Sequence, residues 1–126
     1  PDHWDVIEGQ GSLFNPSFAA VSLGLLHGSQ PDVFVVCHDP TREFILGLDG
    51  FRLPSLEDVI GLTLRLGRLT NPDIRCAGIS LNTSALAQAE AERVFAQISE
   101  SVNGLPVADP LRGGARFERL ADCCLA

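Results

Sequence analysis

At 126 residues, 45% hydrophobic and 20% charged, the chain is one domain's worth of globular protein with enough apolar surface to bury a core. Its net charge is −7 and its nine cations are all Arg, so it has no basic stripe for a phosphate backbone. With no Lys it has no residue for Schiff-base, phosphate-loop or Lys general-base chemistry.

Asp5 to Glu8 reads as a first, buried parallel strand: a short apolar run that ends in a carboxylate and opens into Gly9-Gln10-Gly11-Ser12. The two glycines allow a sharp turn and a close approach to the backbone N–H groups. A tight strand-to-helix turn with a solvated Glu is the plainer reading. Trp4 is expected to pack at the sheet's end. Asn15-Pro16 marks a helix start, with Phe18, Val21 and Leu25 on one face and Gly28 at its close.

Val33-Phe34-Val35-Val36-Cys37 is a continuous apolar strand ending in His38-Asp39-Pro40. A loop runs through Gly47 to Pro54. Ser55 with Asp58 then forms a capping box for a helix reaching toward Leu69. Ile74 to Leu81 is the third strand and ends in Asn82-Thr83-Ser84. Ser84 is expected to cap a helix carrying Ala87, Ala91, Val94, Ile98 and Val102 at helical spacing, closed by Gly104. A short strand, Pro106 to Ala108, leads to Asp109-Pro110-Leu111-Arg112 and a last helix with Phe117, Leu120, Ala121 and Cys124 on one face.

Strands alternating with helices imply right-handed βαβ units. The expected fold is α/β: a doubly wound, mostly parallel sheet in three layers. Its strand ends carry Glu8, His38, Asn82 and Asp109, which such a fold lines up along one edge. The four Cys show neither CxxC pairing nor zinc spacing. Cys37 and Cys76 read as small core residues, and Cys123 and Cys124 as free thiols. No apolar run approaches the roughly 20 residues of a bilayer span and no leader opens the chain, so a cytoplasmic protein is expected, without nucleic-acid or membrane partners. The chain contains no Met and its first strand starts within a few residues, so residues 1–126 are expected to be the C-terminal part of one α/β domain. The N-terminal portion of the same protein would be its partner.

Asp5 to Leu13, Pro16 and Ser22 to Pro31 (SLGLLHGSQP) resemble the C-terminal domain of the family that includes the D-glutamate N-acetyltransferases, formerly a domain of unknown function. Gly78 to Thr83 and Asp109 to Arg112 extend the likeness over nearly the whole chain. The resemblance implies the C-terminal half of a P-loop NTPase-like, Rossmann-like domain similar to dethiobiotin synthetase. It also implies that Glu8 corresponds to an acidic magnesium ligand and Asn82 to a residue that reads a purine base. Gln10 departs from that pattern, as does the missing Lys or Asp after Asn82, and the phosphate loop itself would have to lie upstream.

Three functions follow. The first is acetyl transfer from acetyl-CoA to an acidic D-amino acid such as D-glutamate. There Glu8 and His38 would be catalytic, and Gly9, Gln10, Gly11, Ser12, Asn82 and Asp109 would hold the cofactor. Arg112 and His27 would bind the small-molecule substrate. His27 at a helix end also suits the helix dipole, and Asn82 also suits a turn. The second is a ligase or kinase using a purine nucleotide with Mg²⁺ held by Glu8. The third is a non-catalytic ligand-binding or assembly domain. A homo-oligomer is expected.

Overall fold

The computed structural model describes residues 3–9 and 11–126. Among the described residues four helices and three strands alternate: α1 (Ala19–Ser29), β1 (Val33–His38), α2 (Leu56–Gly67), β2 (Arg75–Leu81), α3 (Gln88–Ser101), β3 (Val107–Ala108) and α4 (Gly114–Leu125). The strands form one parallel sheet in the order β1-β2-β3. The expected α/β fold with a parallel sheet is therefore what forms.

The register of β1 on β2 pairs Phe34 with Cys76 and Val36 with Ile79, with Ala77 as the extra residue of a bulge. Phe34, Val36, Ile79, Leu81 and Val107 consequently share one face. There they meet Leu56, Val59 and Ile60 of α2 and Ala91, Phe95 and Ile98 of α3. Successive crossovers of one hand place both helices on that side. Phe95 and Ile79 are among the largest fully buried side chains, and truncating Phe95 to Ala would cost about 3–5 kcal/mol. α4 closes the opposite face. Arg75 donates to the carbonyls of Cys123 (2.6 Å) and Cys124 (3.1 Å), meeting the free acceptors of that helix end. Leu120 lies where a Cβ on Gly78 would fall.

Local expectations divide cleanly. Ser55 caps α2, accepting from the Asp58 amide at 3.0 Å, while its hydroxyl donates to the Asp58 carboxylate at 2.7 Å. Asn15 Oδ1 accepts from Ser17 (2.9 Å) and Phe18 (3.3 Å), so it caps the turn that leads into α1. That helix closes on Gln30 in the left-handed region rather than on Gly28. Ser84 does not cap α3. Its amide and hydroxyl instead close a turn on Asn82 Oδ1, and the helix starts four residues later behind Ala87.

The largest correction is at the start. Residues Asp5 to Glu8 form no strand and have no backbone partner among the described residues. A strand exists only through pairing, and no backbone group among the described residues pairs with this segment. Trp4 accordingly stays 52% exposed instead of packing at the sheet's end. Cys37 is exposed too, not a core residue, because α4 spans β2 and β3 and leaves that side of β1 bare. Among the described residues no helix is long and apolar enough to cross a membrane.

Between β1 and α2, residues 39–54 form an excursion folded on itself. Phe44 and Arg52 make an antiparallel bridge, Ile45 donates to the Phe51 carbonyl at 2.8 Å, and Leu53 donates to that of Glu43 at 2.9 Å. The Arg52 guanidinium sits 5.2 Å above the Phe44 ring and pairs with Glu43.

Candidate functional site

The ends of β1 and β2 and the loop after β3 frame an open recess of about 360 Å³. It lies outside the carboxyl ends of the strands, where parallel α/β sheets bind ligands. β1 contributes Cys37 and His38 and runs on into Asp39 and Arg42. β2 contributes Ser80, Leu81 and Asn82, and the last loop contributes Asp109, Pro110 and Leu111. Three of the four expected strand-end residues, His38, Asn82 and Asp109, thus meet here. The volume is at the low end for ligand pockets and suits a small molecule or the reacting end of a longer one.

His38 is half-buried, and burial pulls its pKa below the ordinary histidine value against the opposing pull of Asp39. It is therefore neutral at neutral pH and able to accept a proton. Asp39 is kept well ionised, chiefly by the Thr41 hydroxyl, which donates to it at 2.6 Å, with Arg42 adding to the effect. Arg42 Nε lies 3.1 Å from that carboxylate and the side chain is 45% exposed. Its two terminal nitrogens have no partner among the described residues. Asp39 belongs to the polar end of β1 that the sequence places at this edge, though without a site role, whereas the only signal for Arg42 is its i,i+3 spacing from Asp39. Asn82 spends its Oδ1 on Ser84, and its Nδ2 has no partner among the described residues. The Cys37 thiol is pushed up by burial and then by the charge of Glu8, so it stays protonated.

Asp109 is 3% exposed and serves the fold as much as the recess. Its Oδ2 accepts from the Thr83 amide (2.9 Å) and hydroxyl (2.5 Å), and its Oδ1 from the Leu111 amide (2.9 Å). Burial alone would raise its pKa. The Thr83 and Leu111 donors and Arg112 outweigh that and hold it below the usual carboxylate range. Arg112 is turned inward as well. It donates to the Thr83 hydroxyl (2.6 Å) and carbonyl (3.0 Å), the Leu86 carbonyl (2.7 Å) and Gln88 Oε1 (2.6 Å). A guanidinium so engaged ties the ends of β2 and β3 together and has no fork left for a substrate carboxylate.

The remaining expected residues lie away from the recess. His27 Nε2 donates to the Leu66 carbonyl at 2.9 Å, which fixes its tautomer and joins α1 to α2. Gly9 lies against Leu25, and Gly11 has φ +66°, where a Cβ would come within 3.0 Å of Phe18. Ser12 accepts from the Phe14 amide at 3.2 Å in a local turn. Gln10 lies outside the described residues. Glu8 is exposed and near enough to Cys37 for its charge to act there. Among the described residues no group of three or more His, Cys, Asp or Glu is placed to hold a metal, whereas Mg²⁺ demands an octahedron of oxygens. These residues alone do not make a magnesium site, and no step below passes through one.

Known proteins share this architecture. A protein of Pseudoalteromonas named D-glutamate N-acetyltransferase is 49% identical over 112 residues, which are 89% of this chain and 33% of that protein. One of the same name from Tritonibacter scottomollicae is 45% identical over 125 residues, 99% of this chain and 37% of that protein. The chain therefore spans about a third of the length of the curated relatives it matches. A crystal structure of a DUF1611 family protein from Anabaena variabilis superposes with a TM-score of 0.82 at 30% identity, covering 94% of this chain and 34% of that one. A family profile described as a domain of unknown function, the DUF1611_C P-loop domain, matches residues 1–120, and the chain belongs to that family.

Proposed function

We propose that this chain is part of an N-acetyltransferase that transfers an acetyl group from acetyl-CoA to the amine of an acidic D-amino acid such as D-glutamate. The carrying observation is a neutral, half-buried His38 in a small recess that also holds a partly free Arg42. The names of the two relatives support the choice of reaction.

His38 takes the proton that an ammonium must lose before its nitrogen can attack. Arg42 offers its two terminal nitrogens to a substrate carboxylate through a bidentate fork. Asn82 Nδ2 points a donor toward the oxygen on which negative charge develops. Acetyl-CoA would supply the activated acyl group: the amine nitrogen forms the amide C–N bond as the thioester C–S bond breaks, and CoA leaves as a thiol with the proton that His38 took up. We read the transfer as direct from thioester to amine, and the raised pKa of the Cys37 thiol agrees with a residue that is not the nucleophile. Glu8 lies within electrostatic reach of Cys37 at the margin of this recess, and Asp109 forms its buried floor.

The test is acetyl transfer by the full-length protein from acetyl-CoA across a panel of D- and L-amino acids. Preference for acidic D-amino acids is expected. No turnover with any of them would end the proposal. The P-loop description of the family favours one second reading, nucleotide-dependent ligation or phosphorylation. Heat of ATP or GTP binding that vanishes in Glu8→Gln would favour it.

A further inference from the structure

An amino acid enters a site as an ammonium, because its amine is protonated at neutral pH. A cation that leaves water for a half-enclosed recess needs an anion to meet it. Among the described residues the recess is lined by two carboxylates, Asp39 and Asp109. Asp109 is 3% exposed and its oxygens already serve Thr83 and Leu111, so it meets no guest. Asp39 is placed differently. Its Oδ1 accepts from both the hydroxyl (2.6 Å) and the amide (3.0 Å) of Thr41, which fills the two lone-pair directions of that oxygen. Its Oδ2 is met by Arg42 Nε alone among the described residues, at 3.1 Å, and so keeps one direction open. The side chain is 18% exposed, which leaves that direction within reach of a small molecule.

Because Oδ2 also carries Arg42, whatever binds to it lies beside the terminal nitrogens of that guanidinium. A ligand with an acid on those nitrogens and an ammonium on Oδ2 pairs both of its charges on one short stretch of chain. His38, the preceding residue, feels the Asp39 charge, which opposes the effect of burial on the ring. When the ammonium proton passes to His38, the positive charge moves from the substrate nitrogen to the imidazole and stays beside Asp39. Asp39 thus favours the cation at both ends of the transfer, so holding the ammonium does not trap it in its protonated form.

We propose that Asp39 is the amine-selecting residue of the site: its Oδ2 accepts a hydrogen bond from the ammonium of the incoming amino acid, beside the acid held by Arg42. This rests on the reading above that an acidic amino acid enters this recess, and it adds the reason why such an acid is taken in preference to the same acid without an amine. The plainer role of Asp39 is the turn that its Oδ1 closes on Thr41. An Asn closes that turn equally well, so Asp39→Asn separates the charge from the turn.

Calorimetry on the full-length protein, with and without CoA, measures the binding of D-glutamate and of glutarate, which has both carboxylates and no amine. In Asp39→Asn the affinity for D-glutamate is expected to fall about 10-fold or more through loss of a charged hydrogen bond. The affinity for glutarate is expected to be unchanged or higher, since a like charge beside it has been removed. Equal weakening of both ligands would make Asp39 a structural residue and overturn the proposal. Unchanged binding of D-glutamate, or none to the wild-type protein, would overturn it too. The reaction is judged apart from this: amine-selective binding without acetyl transfer would end the acetyltransferase reading and leave Asp39 its role. Acetyl transfer by a protein whose Asp39→Asn variant binds D-glutamate undiminished would do the reverse.

Discussion

His38 and Arg42 are held by different means, and the difference sets what each should show in kinetics. Burial lowers the pKa of His38 and Asp39 partly restores it. A base works only when unprotonated, so activity should rise with pH through a pKa below the ordinary value of about 6.5. Asp39→Asn removes the charge that favours the protonated ring and should move that acid limb to still lower pH. A pH–rate profile showing no such movement would contradict the role given to His38. Arg42 spends one nitrogen on Asp39, and the others have no partner among the described residues. Losing a charged hydrogen bond costs about 1.5–3 kcal/mol, so Arg42→Ala should raise KM for an acidic substrate roughly 10- to 100-fold with a smaller change in kcat. The same substitution should barely affect a neutral D-amino acid, and steady-state kinetics on both substrates checks this.

At the scale of elements, packing against the sheet decides which glycines matter. A Cβ on Gly78 would lie 2.4 Å from the Pro106 carbonyl oxygen and 2.7 Å from Leu120 Cδ1. Both β3 and α4 would have to move, so Gly78→Ala should destabilise by about 3 kcal/mol or more. Gly61, inside α2 with nothing within 4 Å of its Cβ position, should behave oppositely, Gly61→Ala gaining about 0.5–1 kcal/mol. Urea unfolding of the full-length variants measures both. The sequence carried this element pattern well wherever the signal was local: the apolar run of β1, the Ser55–Asp58 cap and the stop at Gly104 need only their neighbours in the chain. It misled where the outcome depends on a distant partner. Asp5 to Glu8 has the composition of a strand, but composition does not supply a strand to pair with. Arg112 looked like a free cation because nothing local shows that Thr83 and Leu86 point their carbonyls at it. Arg42 went unnoticed because it follows a Pro-containing loop with no periodicity to flag it. The convergence of His38, Asn82 and Asp109 was legible, since parallel topology alone brings strand ends together.

For the whole molecule, the uncovered side and the net charge of −7 pull in opposite directions. Like charges oppose association, while a bare apolar edge strand promotes it. Salt screens the first and leaves the second, with the Debye length falling from about 10 Å at 0.1 M to about 3 Å at 1 M. The 126-residue chain by itself should therefore self-associate increasingly as salt is raised, as followed by light scattering, whereas the full-length protein should not. A chain that stays monomeric at 1 M salt would mean that its own side chains protect the edge better than the exposures indicate.

The tie that Arg112 and Asp109 make between Thr83 and the last loop has a thermodynamic corollary. It leaves two walls of the recess set before any ligand arrives, whereas the third wall hangs from the root of the 39–54 excursion, where Arg42 keeps its Nε on Asp39 and must settle its two terminal nitrogens on a guest. Association should then carry an enthalpic gain from the new ion pair, offset by the entropy lost in stilling that one wall. Shortening the excursion while keeping Arg42 would reduce the entropic loss and tighten binding without adding a single contact.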